Sequence, residues 1–332
     1  MLQIFKNNRL HTTFFLFLYA GAFFLSSVMT EQPAIENYRT GANFLFLKFY
    51  DWVEGVDDLE YVLTFSLLFV QALMLNNLAV KYLPSRRVTY VTAACYITLL
   101  NSFDWIGSLN PGFVANTFLI LGLYSLYRTW RRRRPAKYIY NSGLCIGIVA
   151  WCCFPMAVYS FGLLIGLIIT RRFKWQEIFI LLTALCTPFF LAGTYSYLTD
   201  SFFIWWQQDI IRFFQKPVYT IEMDWRFYAG TTIGGIILLG SFTRSRKLYQ
   251  KTTVRRRKAL SVIFIFLLAS SFSFYIQFNL DNFYPIVFAV PLAILLSINL
   301  QTLRSKSTSE FIYLVIFLTC IVVQYGYVAE LD

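Results

Sequence analysis

The sequence RRRRPAK at residues 131–137 separates two apolar segments and decides the orientation of the whole chain. Adjacent arginines are costly to carry across a bilayer. An excess of Lys and Arg in short loops keeps those loops on the cytoplasmic side of a multi-pass membrane protein. The stretch therefore predicts a cytoplasmic loop, and the side of every other loop follows from counting apolar segments away from it.

The composition places the chain among membrane proteins. Of its 332 residues, 58% are hydrophobic, 20% are aromatic and only 14% are charged, whereas soluble proteins contain about 25% charged residues. The net charge of +12 is divided among short clusters between apolar segments, which is typical of membrane anchoring and excludes a nucleic-acid partner. His11 is the only histidine, and no two of the six cysteines have CxxC spacing. Histidine or cysteine metal sites are therefore excluded.

The apolar segments predict an all-α membrane protein with about 11 transmembrane helices, forming one membrane-embedded helical domain over residues 1–332. The predicted spans cover residues 12–29, 61–80, 88–106, 112–127, 138–153, 156–170, 177–198, 227–242, 260–276, 285–300 and 311–328. The N-terminus is then cytoplasmic and the C-terminus periplasmic. In this frame 24 of the 29 Lys and Arg residues lie inside, and 15 of the 17 carboxylates lie outside. The predicted location is the bacterial inner membrane.

Two features leave alternatives open. Segment 12–29 follows Lys6 and Arg9, so it could be a cleaved signal peptide, although its length favours a retained first span. The pair 138–153 and 156–170 is short, because a span normally needs about 20 residues. The pair could form two spans or a re-entrant hairpin, and both of its ends stay inside in either case.

External loop 30–60 contains the first predicted interfacial element. Residues 43–53 alternate aromatic or aliphatic side chains with a narrow polar strip of Lys48 and Asp51, which predicts an amphipathic helix lying at the membrane surface. A cluster of four carboxylates follows it, namely Glu54, Asp57, Asp58 and Glu60. Oxygen ligands suit a divalent cation with a phosphate. The alternative is a solvated acidic turn.

External segment 200–225 is the second predicted interfacial element. Its aromatic residues recur at three- and four-residue steps, which predicts another amphipathic helix parallel to the membrane. That helix would hold Asp209, Arg212 and Lys216 at the depth of lipid phosphates. Plain anchoring by aromatic side chains is the alternative. Asp104, near the outer end of span 88–106, is a further external carboxylate, and an ionisable group at such a position is often functional.

Several short motifs run through the middle of the chain: RRRR at 131–134, YNSG at 140–143, RRFKWQE at 171–177 and TPFF at 187–190. In this stretch, about half of the chain, the sequence resembles an uncharacterised family of polytopic inner-membrane proteins from Bacteroidota. Members of that family sometimes carry a carotenoid-oxygenase label. Such enzymes bind iron through four histidines, so the single His11 contradicts that activity here.

The order of a first span, a long acidic external loop and many short-looped spans is similar to that of membrane glycosyltransferases that use polyprenyl-phosphate sugar donors. This resemblance implies a catalytic carboxylate in the first external loop and external Arg or Lys side chains on the donor phosphate. The phosphate could be bound with or without a divalent cation, which the carboxylate cluster would hold as a cofactor. The catalytic candidates are Asp57, Asp58, Asp104 and Glu36. The candidates for binding the lipid phosphate are Arg212, Lys216, Arg39 and Arg226. Two other functions stay open: a non-catalytic membrane subunit that binds an envelope protein or lipid, and a transporter.

Overall fold

The structure is a computed structural model that describes residues 5, 10–29, 44–54, 56, 59–84, 89–101, 109–172, 174–207, 252–278, 285–303 and 305–326. Within these ranges the chain is helical and contains no β-strand. The α-helices are α1 (Leu10–Met29), α2 (Phe44–Glu54), α3 (Leu59–Tyr82), α4 (Val91–Asn101), α5 (Pro111–Arg128), α6 (Ala136–Cys152), α7 (Tyr159–Thr170), α8 (Trp175–Leu198), α9 (Phe202–Trp205), α10 (Val254–Phe278), α11 (Ala289–Thr302) and α12 (Lys306–Gly326). Two 3₁₀ segments, Phe154–Val158 and Pro285–Phe288, precede α7 and α11.

Among the described residues, three helical stretches are long and apolar enough to cross a membrane: Leu59–Tyr82, Trp175–Leu198 and Val254–Tyr275. Shorter apolar helical stretches accompany them at His11–Leu25, Val91–Leu100, Phe154–Thr170, Ile286–Thr302 and Ser307–Thr319. The all-helical class and the membrane character of the chain are thus confirmed. The count of about 11 spans stays a prediction, and predicted span 227–242 lies outside the described residues.

Helix α1 packs against the bundle through one face. Leu16 and Ala20 are fully buried, whereas Phe14 and Leu18 are exposed. The Tyr19 hydroxyl lies 2.8 Å from Thr98 Oγ1 of α4 and 3.0 Å from the Tyr313 hydroxyl of α12. These hydrogen bonds join α1 to α4 and α12.

Helices α6 and α7 form a hairpin that extends along the whole of α5. At one end, Arg171 after α7 donates hydrogen bonds to the carbonyl oxygens of Thr129 and Arg132, at 2.7 and 3.1 Å. At the other end, a Cβ added to Gly112 would lie 3.7 Å from Met156 Cε in the hairpin turn. Helix α5 is about 27 Å long at 1.5 Å per residue. The hairpin therefore reaches both ends of α5, and the number of times it crosses the membrane stays a prediction.

The two ends of the bundle differ in their charge. The C-terminal ends of α3 and α5 meet the N-terminal end of α10, where the Tyr127 hydroxyl donates to the Ala259 carbonyl at 3.0 Å. Lys81, Arg128 and Arg255 all lie at this end, which we call the basic end. The N-termini of α3 and α5 lie at the opposite end, which we call the Glu60 end.

Candidate functional site

Glu60, the last residue of the acidic cluster at residues 54–60, joins three parts of the chain. Its Oε2 accepts a hydrogen bond from the Tyr50 hydroxyl of α2 at 3.2 Å. Its Oε1 accepts one from the Leu109 backbone N–H at 2.8 Å. Because Leu109 lies just before α5, the carboxylate links α2, the start of α3 and the start of α5. We call this arrangement the Glu60 clamp.

Helix α2 packs on the bundle through one face and leaves another face open. Phe46, Tyr50 and Val53 are buried against α3 and the start of α5. Steps of four and three residues place these side chains on one side of a helix. Phe49 and Trp52, by contrast, are 44% and 65% exposed. The predicted first external helix is therefore confirmed as a helix, with its aromatic side chains divided between a packed face and an open face.

Asn110 begins α5 directly after the clamp. Its backbone is extended, and its Oδ1 accepts a hydrogen bond from the Gly112 N–H at 2.8 Å. With Pro111 at the first helical position, this is a favourable helix start. The Asn110 Nδ2 is buried and has no hydrogen-bond partner among the described residues. A buried donor left unpaired costs about 1–3 kcal/mol, so this amide is suited to an oxygen of a ligand or of water.

Gln71 centres a buried polar network about three turns along α3 from Glu60. Its Nε2 donates to the Phe113 carbonyl at 2.8 Å and to Thr117 Oγ1 at 2.7 Å. Its Oε1 accepts a hydrogen bond from the Tyr96 hydroxyl at 2.6 Å. Gln71 and Tyr96 are both fully buried. Burying polar groups this completely costs free energy unless they form hydrogen bonds. Here polar groups from α3, α4 and α5 hydrogen-bond to one another.

The two 3₁₀ segments lie near the Glu60 end, and side chains of the bundle satisfy their backbone. Asn116 Nδ2 and the Tyr159 hydroxyl donate to carbonyl oxygens of the second segment, at 3.2 and 2.8 Å. Ser273 donates to the Pro155 carbonyl in the first segment at 2.9 Å. The Asn116 Oδ1 is buried and has no partner within the described ranges. This end therefore combines irregular backbone with at least two unsatisfied polar atoms, those of Asn110 and Asn116.

The residues that the sequence singled out for chemistry lie outside the described part of the chain. They are Glu36, Arg39, Asp57, Asp58, Asp104, Arg212, Lys216 and Arg226, and their roles stay predictions. Within the described ranges, no three His, Cys, Asp or Glu side chains come together as a metal site would need. That finding does not bear on the predicted cation site, because Asp57 and Asp58 are not among those residues.

Four polar residues of this part of the bundle were not predicted from the sequence: Gln71, Tyr96, Asn110 and Asn116. A signal was present for three of them. Gln71 and Asn116 interrupt apolar segments, where a polar side chain needs a partner inside the bundle. Asn110 directly before a proline is a recognisable helix start. Tyr96 carried no such signal, because a tyrosine in an apolar segment is equally common as an anchor at the membrane surface.

Comparison of the chain with protein-family models, with curated proteins and with solved structures finds no match. A function for the chain is therefore argued from its sequence and from the described residues alone.

Proposed function

We propose that this chain is a multi-pass protein of the bacterial inner membrane, with its basic end in the cytoplasm and its Glu60 end in the periplasm. The three membrane-compatible helical stretches support the proposal. So does the gathering of Lys81, Arg128 and Arg255 at one end of the bundle, since Lys and Arg concentrate on the cytoplasmic side. The N-terminus is then cytoplasmic, and the C-terminus is periplasmic.

We propose further that the periplasmic end serves envelope biogenesis by transferring a sugar from a polyprenyl-phosphate donor. The observation that carries this proposal is the Glu60 clamp. Glu60 directly follows the segment of Asp57 and Asp58, and it is bonded to Leu109, five residues after Asp104. The clamp thus joins two residues 49 positions apart, and each is followed or preceded closely in the sequence by a candidate carboxylate.

The proposed reaction needs a base and a cation at this end. One external carboxylate, with Asp57, Asp58 and Asp104 as the leading candidates, takes the proton from an acceptor hydroxyl. The acceptor oxygen then attacks the anomeric carbon of the sugar. The carbon–oxygen bond to the phosphate breaks, and its electron pair leaves with the polyprenyl phosphate. Arg212 and Lys216 hold the donor phosphate equally in the ground state and in the transition state. A divalent cation held by the carboxylates would stabilise the charge that develops on the leaving phosphate.

A non-catalytic membrane subunit is the second candidate function, and one observation favours it. Both carboxylate oxygens of Glu60 are engaged in hydrogen bonds within the chain, so this member of the acidic cluster holds structure together. The neighbouring Phe49 and Trp52 are exposed and offer an apolar surface for binding an envelope protein or a lipid. A transporter is less well supported: among the described residues, the only charged side chain in the buried class is Glu177, and it pairs with Arg171 at 3.1 Å.

The test compares isosteric variants in a deletion strain. Asp57→Asn, Asp58→Asn and Asp104→Asn remove a base and keep the side-chain shape, and Glu310→Gln at the basic end is the matched control. A general base contributes about 10²–10⁴-fold in rate. We therefore expect at least one external variant to abolish the envelope glycan that the wild-type gene restores, at wild-type protein levels, while the control restores it fully.

Two further substitutions separate the candidate functions. Arg212→Ala and Lys216→Ala should raise the KM for the donor more than they lower kcat, because a phosphate held in both ground and transition states contributes uniform binding. If every external carboxylate tolerates the amide and Trp52→Ala abolishes function, sugar transfer is refuted and the subunit function takes its place.

A further inference from the structure

The basic end carries a set of cations that lie over aromatic rings. Arg128 Cζ lies 5.0 Å from the ring centre of Tyr124 and 5.7 Å from that of Tyr138. Arg132 Cζ lies 5.6 Å from the same Tyr138 ring. Lys81 Nζ lies 5.4 Å from the Tyr124 ring and donates a hydrogen bond to its hydroxyl at 3.0 Å. Three cations are thus ordered around two tyrosines.

Two more cations continue this surface toward α10. Arg255 Cζ lies 5.4 Å from the ring of Tyr82, and Lys258 Nζ lies 5.0 Å from the ring of Trp130. Between them is a small cleft at the ends of α3, α5, α7 and α10. Its lining is mostly aromatic and apolar, with Arg255 as its charged member: Tyr82, Tyr127, Trp130, Thr170, Arg255 and Ala259. We call these five cations and their rings the cation–aromatic face.

The positive charge of this face is not balanced by carboxylates. No ion pair joins Lys81, Arg128, Arg132, Arg255 or Lys258 to an acidic side chain within the described part of the chain, where the pair at this end is Arg171 with Glu177. Like charges held together repel each other. Ring faces offset part of that repulsion and fix the direction of each cation, while leaving N–H groups available for an anion.

The face also lies at the depth of a lipid head group. Lys81 and Tyr82 end one membrane-compatible helix, and Arg255 is the second residue of another. Cations that flank apolar spans stand at the level of lipid phosphates, and basic pockets between such helices bind anionic head groups. To set the orientation of the chain in the membrane, these residues need only their positive charge. They need neither aromatic rings beneath them nor an aromatic cleft beside them.

We propose that the cation–aromatic face binds the phosphate head group of an anionic phospholipid, with Lys81 and Arg128 as the principal contacts. The phosphate oxygens accept hydrogen bonds from the N–H groups of these two side chains. The proposal is independent of sugar transfer, because it concerns the opposite end of the molecule.

The experiment measures lipid binding to the purified, delipidated full chain. Detergent micelles containing phosphatidylglycerol should raise its unfolding temperature and leave lipid adducts in native mass spectrometry. Micelles containing phosphatidylcholine should do neither. The double variant Lys81→Gln/Arg128→Gln should weaken phosphatidylglycerol binding about tenfold. The matched control is Arg133→Gln/Arg134→Gln, which removes the same charge from exposed residues of the same end that make no described ring contact. It should change binding less than about twofold.

Three outcomes would overturn the proposal. Equal losses in the two double variants would show diffuse surface charge and no site. Equal binding of phosphatidylcholine by the wild-type chain would show that the head-group charge is not recognised. Full competition by inorganic phosphate would assign the face to a free anion. The lipid comparison uses the wild-type protein alone, so it can refute recognition of the head-group charge even if a variant fails to fold.

Discussion

Helices α6 and α8 approach each other through two glycines, and this contact gives a sharp test of the packing. A Cβ added to Gly147 would lie 2.7 Å from the Leu185 carbonyl oxygen, and one added to Gly143 would lie 2.8 Å from Ala184 Cβ. Real Cβ atoms essentially never come closer than 3.0 Å to another heavy atom. Four-residue spacing places both glycines on one helix face, as in the small-residue contacts of membrane helices.

The expected magnitude of Gly147→Ala follows from two opposing effects. Alanine favours the helical backbone over glycine by about 1 kcal/mol. Overpacking costs about 1–3 kcal/mol, and the cost should be near the upper limit here because the contacted atom belongs to the backbone of α8 and cannot rotate away. The net loss in the free energy of unfolding is about 1–2 kcal/mol. The double variant Gly143→Ala/Gly147→Ala should lose less free energy of unfolding than the sum of the two single losses, because both glycines contact the same helix.

The assay is the midpoint of thermal unfolding of the purified protein in detergent. Gly147→Ala should lower the midpoint by about 1–3 °C. Two matched controls keep the same chemical change without the close contact. Gly21 has no heavy atom within 4 Å of the added Cβ, and at Gly162 the nearest is at an ordinary 3.5 Å. Those variants should unfold at or above the wild-type midpoint. An unchanged midpoint for Gly147→Ala, or an equal loss for Gly162→Ala, would refute the packing.

Three other measurements test the Glu60 clamp, the Gln71 network and the membrane orientation. Glu60→Gln turns one acceptor of the clamp into a donor, so it should lose about 1–3 kcal/mol of stability and make α2 more accessible to protease, measured by limited digestion. Tyr96→Phe leaves the buried Oε1 of Gln71 without its donor and should lower the thermal midpoint by the equivalent of about 1 kcal/mol; no change would mean that the hydrogen bond does not form. Reporter fusions after Arg134 should be cytoplasmic and fusions after Glu60 periplasmic, and the reverse result would invert the proposed orientation.

The helices could be predicted from the sequence because their signals are local. The predicted span 61–80 became Leu59–Tyr82, and the predicted span 112–127 became Pro111–Arg128. In each case the apolar residues form the interior of the helix, and a polar residue or a proline marks where the helix begins or ends. The helix at 44–54 was found from its aromatic spacing in the same way. Span 88–106 was predicted longer than the described helix, which ends at Asn101 before residues outside the description.

The pairing of helices could not be predicted from the same signals. The hydrogen bond between Tyr19 and Tyr313 joins residues 294 positions apart, and hydropathy says nothing about which apolar segments become neighbours. The same limit applies to Glu60. As one of four clustered carboxylates it indicated either a cation ligand or a solvated turn, whereas its actual partners come from a helix before it and from a residue 49 positions after it.

The distribution of irregular backbone supports the proposal that the Glu60 end is the functional end. Non-helical backbone at membrane depth persists only where it is buried in protein or lines a cavity, since lipid offers it no hydrogen bonds. Both 3₁₀ segments are held by side-chain donors, among them Asn116 and Ser273. The basic end also has non-helical backbone, at residues 129–135, where Arg171 donates to two carbonyl oxygens, but most of that loop is exposed. Unpaired buried amides occur toward both ends of the described bundle, at Asn110 and at Asn299. Buried irregular backbone, rather than an unpaired amide, is therefore what distinguishes the Glu60 end.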